Sequence, residues 1–527
     1  MNPAQDNNGQ NDSQPSPNHI AARIAELHDA ADRCYQAGDS IKAKNLLKEI
    51  ITLAPDDMAA HANLGLILHA EGEPTQAIAA YQKAIDLEPC HFHIHFLLGR
   101  ACRELGYLED AVVAFNKALQ LKPDAVDVLF ELGSVYFQQN MTDEAAACFH
   151  AILARNPRHG AAHYNLGILA YNLGQFDEAA ARYTEALEEN PVDADTLFNL
   201  ALTRQRQHRL AEAAACYEQA LAVSPDDPDI NFNLGSIYKD LHKPDLAVAC
   251  LENAVAANPE HGAAHTNLGT LYHMLGRTAE AIRCYQRAVE LDHHTAAANH
   301  LLASLSGATT EKAPQQYVND VFDSYADRFD HSLVRELEYR VPGMLRQLLD
   351  DHLPDPDHIF ASGLDLGCGT GLAGEAFQDR AGRLTGVDLS PKMLGRAADK
   401  KIYHTLHQGD LVDFLDRDGA LYDLFIAADV FTYLGELTPL FAGLTRRAHP
   451  DAWLLFSTER HDGNGYILHQ SGRYGHAADY IHTLSLRHGL KVVQHTRTQL
   501  RKDKGEWVPG DLYLLKFSPG LHRNKRI

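Results

Sequence analysis

Residues 364–374 of the 527-residue sequence, LDLGCGTGLAG, set a carboxylate beside three closely spaced glycines. Asp365 stands two residues before Gly367. Gly369 and Gly371 follow at alternate positions, with Cys368 inside the loop. Such a loop can take φ > 0 and bring its backbone against a ligand, because no Cβ intervenes. A helix starting just beyond it points free N–H groups at that ligand. The third glycine falls one residue early for the dinucleotide pattern G-x-G-x-x-G. An acid directly before the loop repels a pyrophosphate and suits a cation. A second acid, Asp388, closes Leu384-Thr385-Gly386-Val387-Asp388, 23 residues after Asp365. At the end of a second strand, its two oxygens can accept from two ribose hydroxyls.

The elements that position these groups are readable. Gly363–Leu366 reads as a strand, the glycines as a tight turn, and the residues through Phe377 as a helix. Leu384–Asp388 is the second strand, His407-Gln408-Gly409-Asp410-Leu411 the end of a third, and Tyr422–Val430 a fourth with its exit. Asp365 and the turn then lie at the carboxyl edge of a parallel sheet, where α/β proteins bind ligands. This D-x-G-x-G-x-G motif and its followers resemble class I S-adenosylmethionine-dependent methyltransferases. The resemblance implies that cofactor and a Rossmann-like α/β domain. It places Asp365, Gly367, Cys368, Gly369, Gly371 and Asp388 at the cofactor, Leu389 and Met393 against the adenine, Asp410 near its amino group, and Asp429 at the exit of strand four. Cys368 is read as a small loop residue.

Composition limits the class. With 45% hydrophobic and 22% charged residues the chain is an ordinary globular one. A net charge of −23 disfavours a phosphate-backbone binder, so no nucleic-acid partner is expected. No apolar run reaches membrane-spanning length, and the first 18 residues have neither an apolar core nor a basic flank. No membrane partner and a cytoplasmic location are therefore expected, with no metal. Residues 1–23 are read as a disordered tail.

From residue 24 the period is 34. Pro55, Pro89, Pro123, Pro157, Pro191, Pro225 and Pro259 keep it without a slip, as do Leu-Gly pairs at 64–65, 98–99, 132–133, 166–167, 234–235 and 268–269. Alanines from Ala43 to Ala281 and aromatics at 81, 115, 149, 183, 217 and 285 share the period. This is the tetratricopeptide (TPR) pattern. Small residues let two antiparallel helices approach, large ones fill the gap, and proline ends the second helix. Eight repeats are expected, 24–57 through 262–295, with a degenerate first and His293 in place of proline in the last, followed by a capping helix to 306. Cys148, Cys216, Cys250 and Cys284 occupy one repeat position, as small buried hydrophobes. Position six carries Asn63, Asn165, Asn199, Asn233 and Asn267. An Asn amide can donate to and accept from a peptide backbone. Leu97 and Glu131 interrupt the series, so the four consecutive positions from Asn165 to Asn267 form either a ladder for an extended protein or peptide partner, resembling that of O-linked N-acetylglucosamine transferase, or ordinary repeat consensus facing water. His61, His95, His163 and His265 at position four are expected to pack or face solvent.

After a break at 307–310, residues 307–527 are expected to form the α/β domain behind lid helices. Tyr317, Phe322, Tyr325 and Phe329 either line an acceptor pocket or pack on the sheet. Trp453–Thr458 reads as strand five, with two antiparallel strands at 492–500 and 512–517. The whole chain is thus an all-α TPR solenoid followed by an α/β class I methyltransferase domain. It resembles a bacterial family of predicted methyltransferases with N-terminal TPR repeats. A sulfonium methyl is already activated, so a general base is needed only if the acceptor carries a proton. Asp429, Tyr433 and His476 are the candidates, with Arg473 a possible carboxylate binder. Three functions stay open: methylation of a protein or peptide held by the repeats; methylation of a small molecule, the repeats being a separate interaction module; or a TPR scaffold whose cofactor domain only senses. The sequence does not give the oligomeric state.

Overall fold

The computed structural model describes residues 17–291, 295–326, 329–503 and 505–518. His293, the basic residues near the C-terminus and residues 1–16 lie outside them. The chain divides into two compact units, 1–242 and 243–527.

In the first unit, antiparallel helix pairs follow the 34-residue period from Pro17–Gln36 with Ser40–Leu53 to Ala194–Arg206 with Leu210–Val223; helix Pro228–Asp240 completes it. Residues 17–23 are thus helical, which shortens the expected tail. The Leu-Gly glycine is where each pair closes. A Cβ at Gly65, Gly99 or Gly167 would stand 2.5–2.7 Å from the ring of Tyr81, Phe115 or Tyr183 respectively. Those rings are fully or almost fully buried.

Position four has a role that periodicity did not show. Nε2 of His61, His95 and His163 lies 3.0, 2.8 and 2.8 Å from the carbonyl of Pro55, Pro89 and Pro157, six residues back. Asn231 donates likewise to Pro225 O at 3.0 Å. These bonds satisfy carbonyls beyond the end of the preceding helix, which otherwise lack partners.

The turn between paired helices needs a left-handed residue. Gly38, Gly72, Gly106 and Gly174 supply it, whereas Asn140, His208 and His242 hold φ of 59°, 59° and 56°. An L-residue there costs about 1–2 kcal/mol. His208 and His242 are exposed. His208→Gly and His242→Gly are each expected to stabilise the repeats by roughly 1 kcal/mol, read as a higher denaturant midpoint in urea.

The second unit holds helices Pro244–Ala257, Gly262–Met274, Thr278–Glu290 and Thr295–Ser306 together with a nine-stranded sheet. The expected boundary at 306/307 is therefore not where the compact units part. His300, 2% exposed on the last of these helices, explains this: its Nε2 is 2.9 Å from Gly472 O, and its Nδ1 3.3 Å from Thr310 Oγ1, which bonds Tyr474 Oη at 2.5 Å.

The strands are β1 (Gly363–Leu366), β2 (Leu384–Asp388), β3 (Thr405–Gln408), β4 (Tyr422–Ala427), β5 (Ala448–Arg460), β6 (Tyr466–Leu468), β7 (Tyr474–His476), β8 (Leu490–Asp503) and β9 (Glu506–Phe517). β3-β2-β1-β4-β5 run parallel, and β9 and β8 continue the sheet antiparallel. β7 pairs with the end of β5, at Glu459 and Arg460, and with β6 as a hairpin that the sequence reading missed. Alternation along β4 sorts the core. Phe425 and Ala427 face one layer with Phe441, Phe456 and Tyr513; Leu424 and Ile426 face the other with Leu345, Phe377 and Leu455.

Candidate functional site

A cavity of about 590 Å³ opens at the carboxyl ends of β1, β2 and β4. Gly367, Cys368, Gly369 and Thr370 form one wall, with Asp388, Leu389, Asp410, Leu411 and Val412 beside them. Gly367, Gly369 and Gly371 have φ of 65°, 52° and 92°, as the loop requires. A Cβ on Gly369 would meet no protein atom within 4 Å, whereas one on Gly371 would press on Tyr403 at 3.1 Å. Gly371 does not line the cavity; it starts helix Leu372–Phe377.

Asp388 is held by the loop it serves. Its Oδ2 accepts from Gly369 N at 2.9 Å and its Oδ1 from Ser390 N at 2.9 Å. Each oxygen keeps lone-pair capacity for a hydroxyl. Burial pushes its carboxyl above the usual range, against these backbone bonds. Asp410 caps helix Leu411–Arg417 through Val412 N (2.9 Å) and accepts from Gln315 Nε2 at 3.0 Å. Burial acts to raise its carboxyl, but Gln315, the helix N–H groups and Lys312 outweigh burial and hold it low.

Besides Gly371, two further expected cofactor residues stand elsewhere. Asp365 is fully buried and does not line the cavity. Strand alternation turns it away from Leu364 and Leu366, and Tyr403 Oη donates to its Oδ2 at 2.6 Å. It braces the loop from behind. Met393 is also fully buried, in the core side of helix Pro391–Asp399, and Leu389 takes the cavity wall instead. Burial raises the Asp365 carboxyl to about 7, with the Tyr403 bond opposing and Asp388 adding to the rise. A carboxyl raised on folding contributes stability that is complete below its unfolded pKa and lost as pH climbs through the folded one. Asp365→Asn, which keeps an acceptor for Tyr403, is expected to melt progressively higher than the parent between pH 4 and 8; a thermal scan series checks this.

The facing wall comes from residues 313–342. Phe322, Phe329, Leu333, Leu337 and Tyr339 line it. Tyr317 does not; it packs on His300, ring centroids 5.2 Å apart. The side chain of Tyr325 lies outside the described residues. This segment is fastened across the cavity: Asp323 accepts from Ser390 Oγ at 2.5 Å, and Asp330 from Thr370 Oγ1 and Lys400 Nζ (2.9 Å to the latter). Met274, at the end of a repeat helix in the same unit, also lines the cavity.

At the β4 and β5 ends the wall is a chain of charges. Arg501 pairs with Asp429 and with Glu459 (2.5 Å), and Arg473 pairs with Glu459 (2.8 Å) and Asp503. Arg501 and Glu459 side chains are only 6% exposed. Burial alone would lower the Arg501 guanidinium, but Asp429 and Glu459 push it up instead. Asp429 sits at φ 62°, its N–H donating to Ser457 Oγ at 2.8 Å, with Oδ1 buried and unpartnered. Arg473 is therefore not a surface cation. Arg501, Glu459 and Asp503 escaped the sequence reading; the only signal is a charge cluster, Arg501-Lys502-Asp503, ending a strand.

Of the three candidate bases, Asp429 and Tyr433 line the cavity. Burial holds the Tyr433 phenol far above its ordinary value, so it stays protonated and cannot accept a proton near neutrality. His476 is removed from the group. It is fully buried on β7, outside the cavity wall, stacked on Tyr480, with Nε2 3.1 Å from Gly435 O. Burial lowers its imidazole to about 4.

Among the asparagines, Asn165 and Asn233 donate to Ala161 O and Asp229 O of their own helices, both at 2.8 Å, and Asn199 to Tyr164 Oη at 3.0 Å. One N–H of each of these amides is thus engaged locally, leaving a second N–H and the amide oxygen.

A family model described as a methyltransferase domain matches residues 364–454, and a tetratricopeptide-repeat model matches 59–89 and 262–294. A model of the C-terminal domain of cilia and flagella-associated protein 70 matches 90–271. The malonyl-[acyl-carrier protein] O-methyltransferase of Halalkalibacterium halodurans is 31% identical over 189 residues, 34% of this chain and 68% of that protein. The chain belongs to the methyltransferase family, as a member carrying TPR repeats. The Serratia marcescens malonyl-[acyl-carrier protein] O-methyltransferase is 34% identical over 95 residues, 18% of this methyltransferase and 37% of the relative. The ubiquinone biosynthesis O-methyltransferase of Paraburkholderia phytofirmans is 27% identical over 126 residues, 22% and 50% respectively. This methyltransferase thus spans between 37% and 68% of the length of these curated relatives. A TPR repeat-containing protein from Cytophaga hutchinsonii is 14% identical, covers 46% of this chain and 99% of its own, and gives a TM-score of 0.42. Among the described residues no helix is long and apolar enough to cross a membrane.

Proposed function

We propose that this methyltransferase uses S-adenosylmethionine and that its repeats bind the protein that carries or presents the acceptor. The observation that carries the cofactor assignment is Asp388, whose two oxygens are fixed by Gly369 N and Ser390 N at the rim of a glycine-walled cavity. The cofactor supplies an activated methyl on a sulfonium. Asp388 would hold the ribose hydroxyls, and Leu389, Leu411 and Val412 would flank the adenine beside Asp410. Gly369 leaves room for the remainder, while Gly367 lets the loop pass close to Val430. Phe322, Phe329, Leu333 and Leu337 exclude water on the acceptor side, which keeps hydrolysis away from the methyl. Of the candidate bases that line the cavity, Asp429 is the carboxylate, with its Oδ1 buried and without a hydrogen-bond partner.

Met274 supports acceptor delivery by the repeats, since a repeat helix contributes to the wall around the reaction. The relatives' names, malonyl-[acyl-carrier protein] O-methyltransferase and ubiquinone biosynthesis O-methyltransferase, support transfer to oxygen. The test is transfer of labelled methyl from S-adenosylmethionine into a lysate, separated into protein and small-molecule fractions, by the full chain and by its Asn165→Ala/Asn199→Ala/Asn233→Ala variant. Label in a protein band that fades with the triple variant supports capture by the repeats. Equal small-molecule labelling by both makes the repeats a separate module.

A further inference from the structure

We infer that Tyr403, which stands outside the cavity wall, is a positioning residue for the glycine loop, and that its hydroxyl governs how tightly the amino-acid half of S-adenosylmethionine is held. The inference rests on the proposed cofactor and adds to its site a residue that does not line it.

Three glycines meet this one ring. Tyr403 lies in the short connection between helix Pro391–Asp399 and β3. A Cβ on Gly371, where the loop becomes helix, would stand 3.1 Å from Cε2 on one edge of the ring. A Cβ on Gly386, in β2, would stand 3.0 Å from Cδ1 on the opposite edge. One on Gly374, in helix Leu372–Phe377, would stand 2.6 Å from Cζ at the tip. The ring is thus wedged between the far end of the loop, the first turn of the helix and β2, in a space that only missing side chains leave open. A close-packed interior passes a displacement on rather than absorbing it.

The hydroxyl locks the wedge. In the parallel β1–β2 pair Gly386 is the register partner of Asp365. The ring crosses this bare position, and its Oη donates to Asp365 Oδ2 at 2.6 Å. Asp365 Oδ1 is buried without a hydrogen-bond partner. The Gly374 N–H acts on both groups, opposing the rise that burial imposes on each. A strand acid, a phenol and a first-turn N–H therefore form one line behind the loop. Removing the hydroxyl would leave a buried carboxyl without its side-chain donor, which carries the desolvation penalty of that group. Asp365 is two residues from Gly367, so the loop takes up the change.

The division of the wall says which half of the cofactor responds. Asp388 and Leu389 follow β2, and Asp410, Leu411 and Val412 follow β3, all on the nucleoside side of the proposed site. The remainder lies along the loop. Gly369 N bound to Asp388 pins the middle of that loop, and Tyr403 pins its far end.

The test is calorimetric titration of the full chain with S-adenosylhomocysteine and with 5′-methylthioadenosine, which keeps the nucleoside and sulfur but lacks the amino-acid half. Tyr403→Phe is expected to weaken S-adenosylhomocysteine by about tenfold, the worth of one hydrogen bond, and 5′-methylthioadenosine by less than about twofold. Gly374→Ala, which drives the ring out while keeping its hydroxyl, is expected to produce the same split. Tyr403→Phe combined with Asp365→Ala is expected to fall no lower than the weaker-binding single variant, because the two residues act as a pair. Circular dichroism and a thermal melt establish that each variant is folded. Equal weakening of both ligands, parent-like affinity in Tyr403→Phe or Gly374→Ala, or full additivity in the double variant overturns the positioning role while the cofactor reading stands. Failure of the parent to bind 5′-methylthioadenosine overturns the division into separately held halves. Failure of the parent to bind S-adenosylhomocysteine overturns the cofactor reading itself.

Discussion

Asp388→Ala is expected to weaken S-adenosylmethionine binding by about 100-fold or more, close to 3 kcal/mol. Three losses add. Two hydroxyls lose charge-assisted partners, each worth about 1.5–3 kcal/mol. Gly369 N and Ser390 N lose their acceptor. The loop between β1 and its helix loses the brace that fixes its left-handed glycines. Asp388→Asn keeps one carbonyl acceptor and is expected to fall between the two. Calorimetric titration of the cofactor reads the effect, and unchanged helical circular dichroism shows that the repeats are folded. Unaltered affinity in Asp388→Ala would remove the ribose assignment.

Arg501→Met is expected to cost about 3–5 kcal/mol in the sheet-containing unit, the typical penalty for leaving a buried charge unpaired. Here two carboxylates, Asp429 and Glu459, lose their partner together. Removing either acid would strip only one side of the pair. Arg501→Lys is expected to lose less stability but nearly as much transfer, because an ammonium cannot hold two carboxylates in fixed directions as the planar fork does. Differential scanning calorimetry of Arg501→Met and Arg501→Lys beside the parent checks the size and the order of the two losses. An Arg501→Met protein that melts with the parent would remove the structural role assigned to this pair.

Much of the fold is legible in the sequence because its determinants are local. The 34-residue period writes each helix pair into its own repeat, and Gly65 meeting Tyr81 is a contact 16 residues long. β1, its glycine turn and Asp388 are likewise set within two dozen residues. The acceptor side is different. Asp429 reaches Arg501 across 72 residues and Glu459 reaches it across 42. Only the antiparallel pairing of β9 between β5 and β8 brings them together, and no spacing rule encodes it. Strand patterning also gives no warning that Asp365 faces the layer away from the ligand, nor that His476 forms part of a short hairpin core. The histidines at position four illustrate a third case: they are periodic, yet their bond to a proline carbonyl becomes visible only in three dimensions.

His300 bears on how such a chain came to be assembled and how it can be taken apart. The sequence motif changes character after residue 306, and a gene fusion would naturally be imagined there. The compact unit begins instead at Lys243. Cutting at 307 would remove the imidazole that bonds Gly472 O and uncover Leu301 and Leu305, both under 10% exposed. An expression fragment starting near 243 keeps that seam whole. The last repeat helices thus belong to the same compact unit as the sheet. Swapping the repeat array between relatives would have to preserve them, so the exchangeable module ends about two repeats earlier than its sequence signature does.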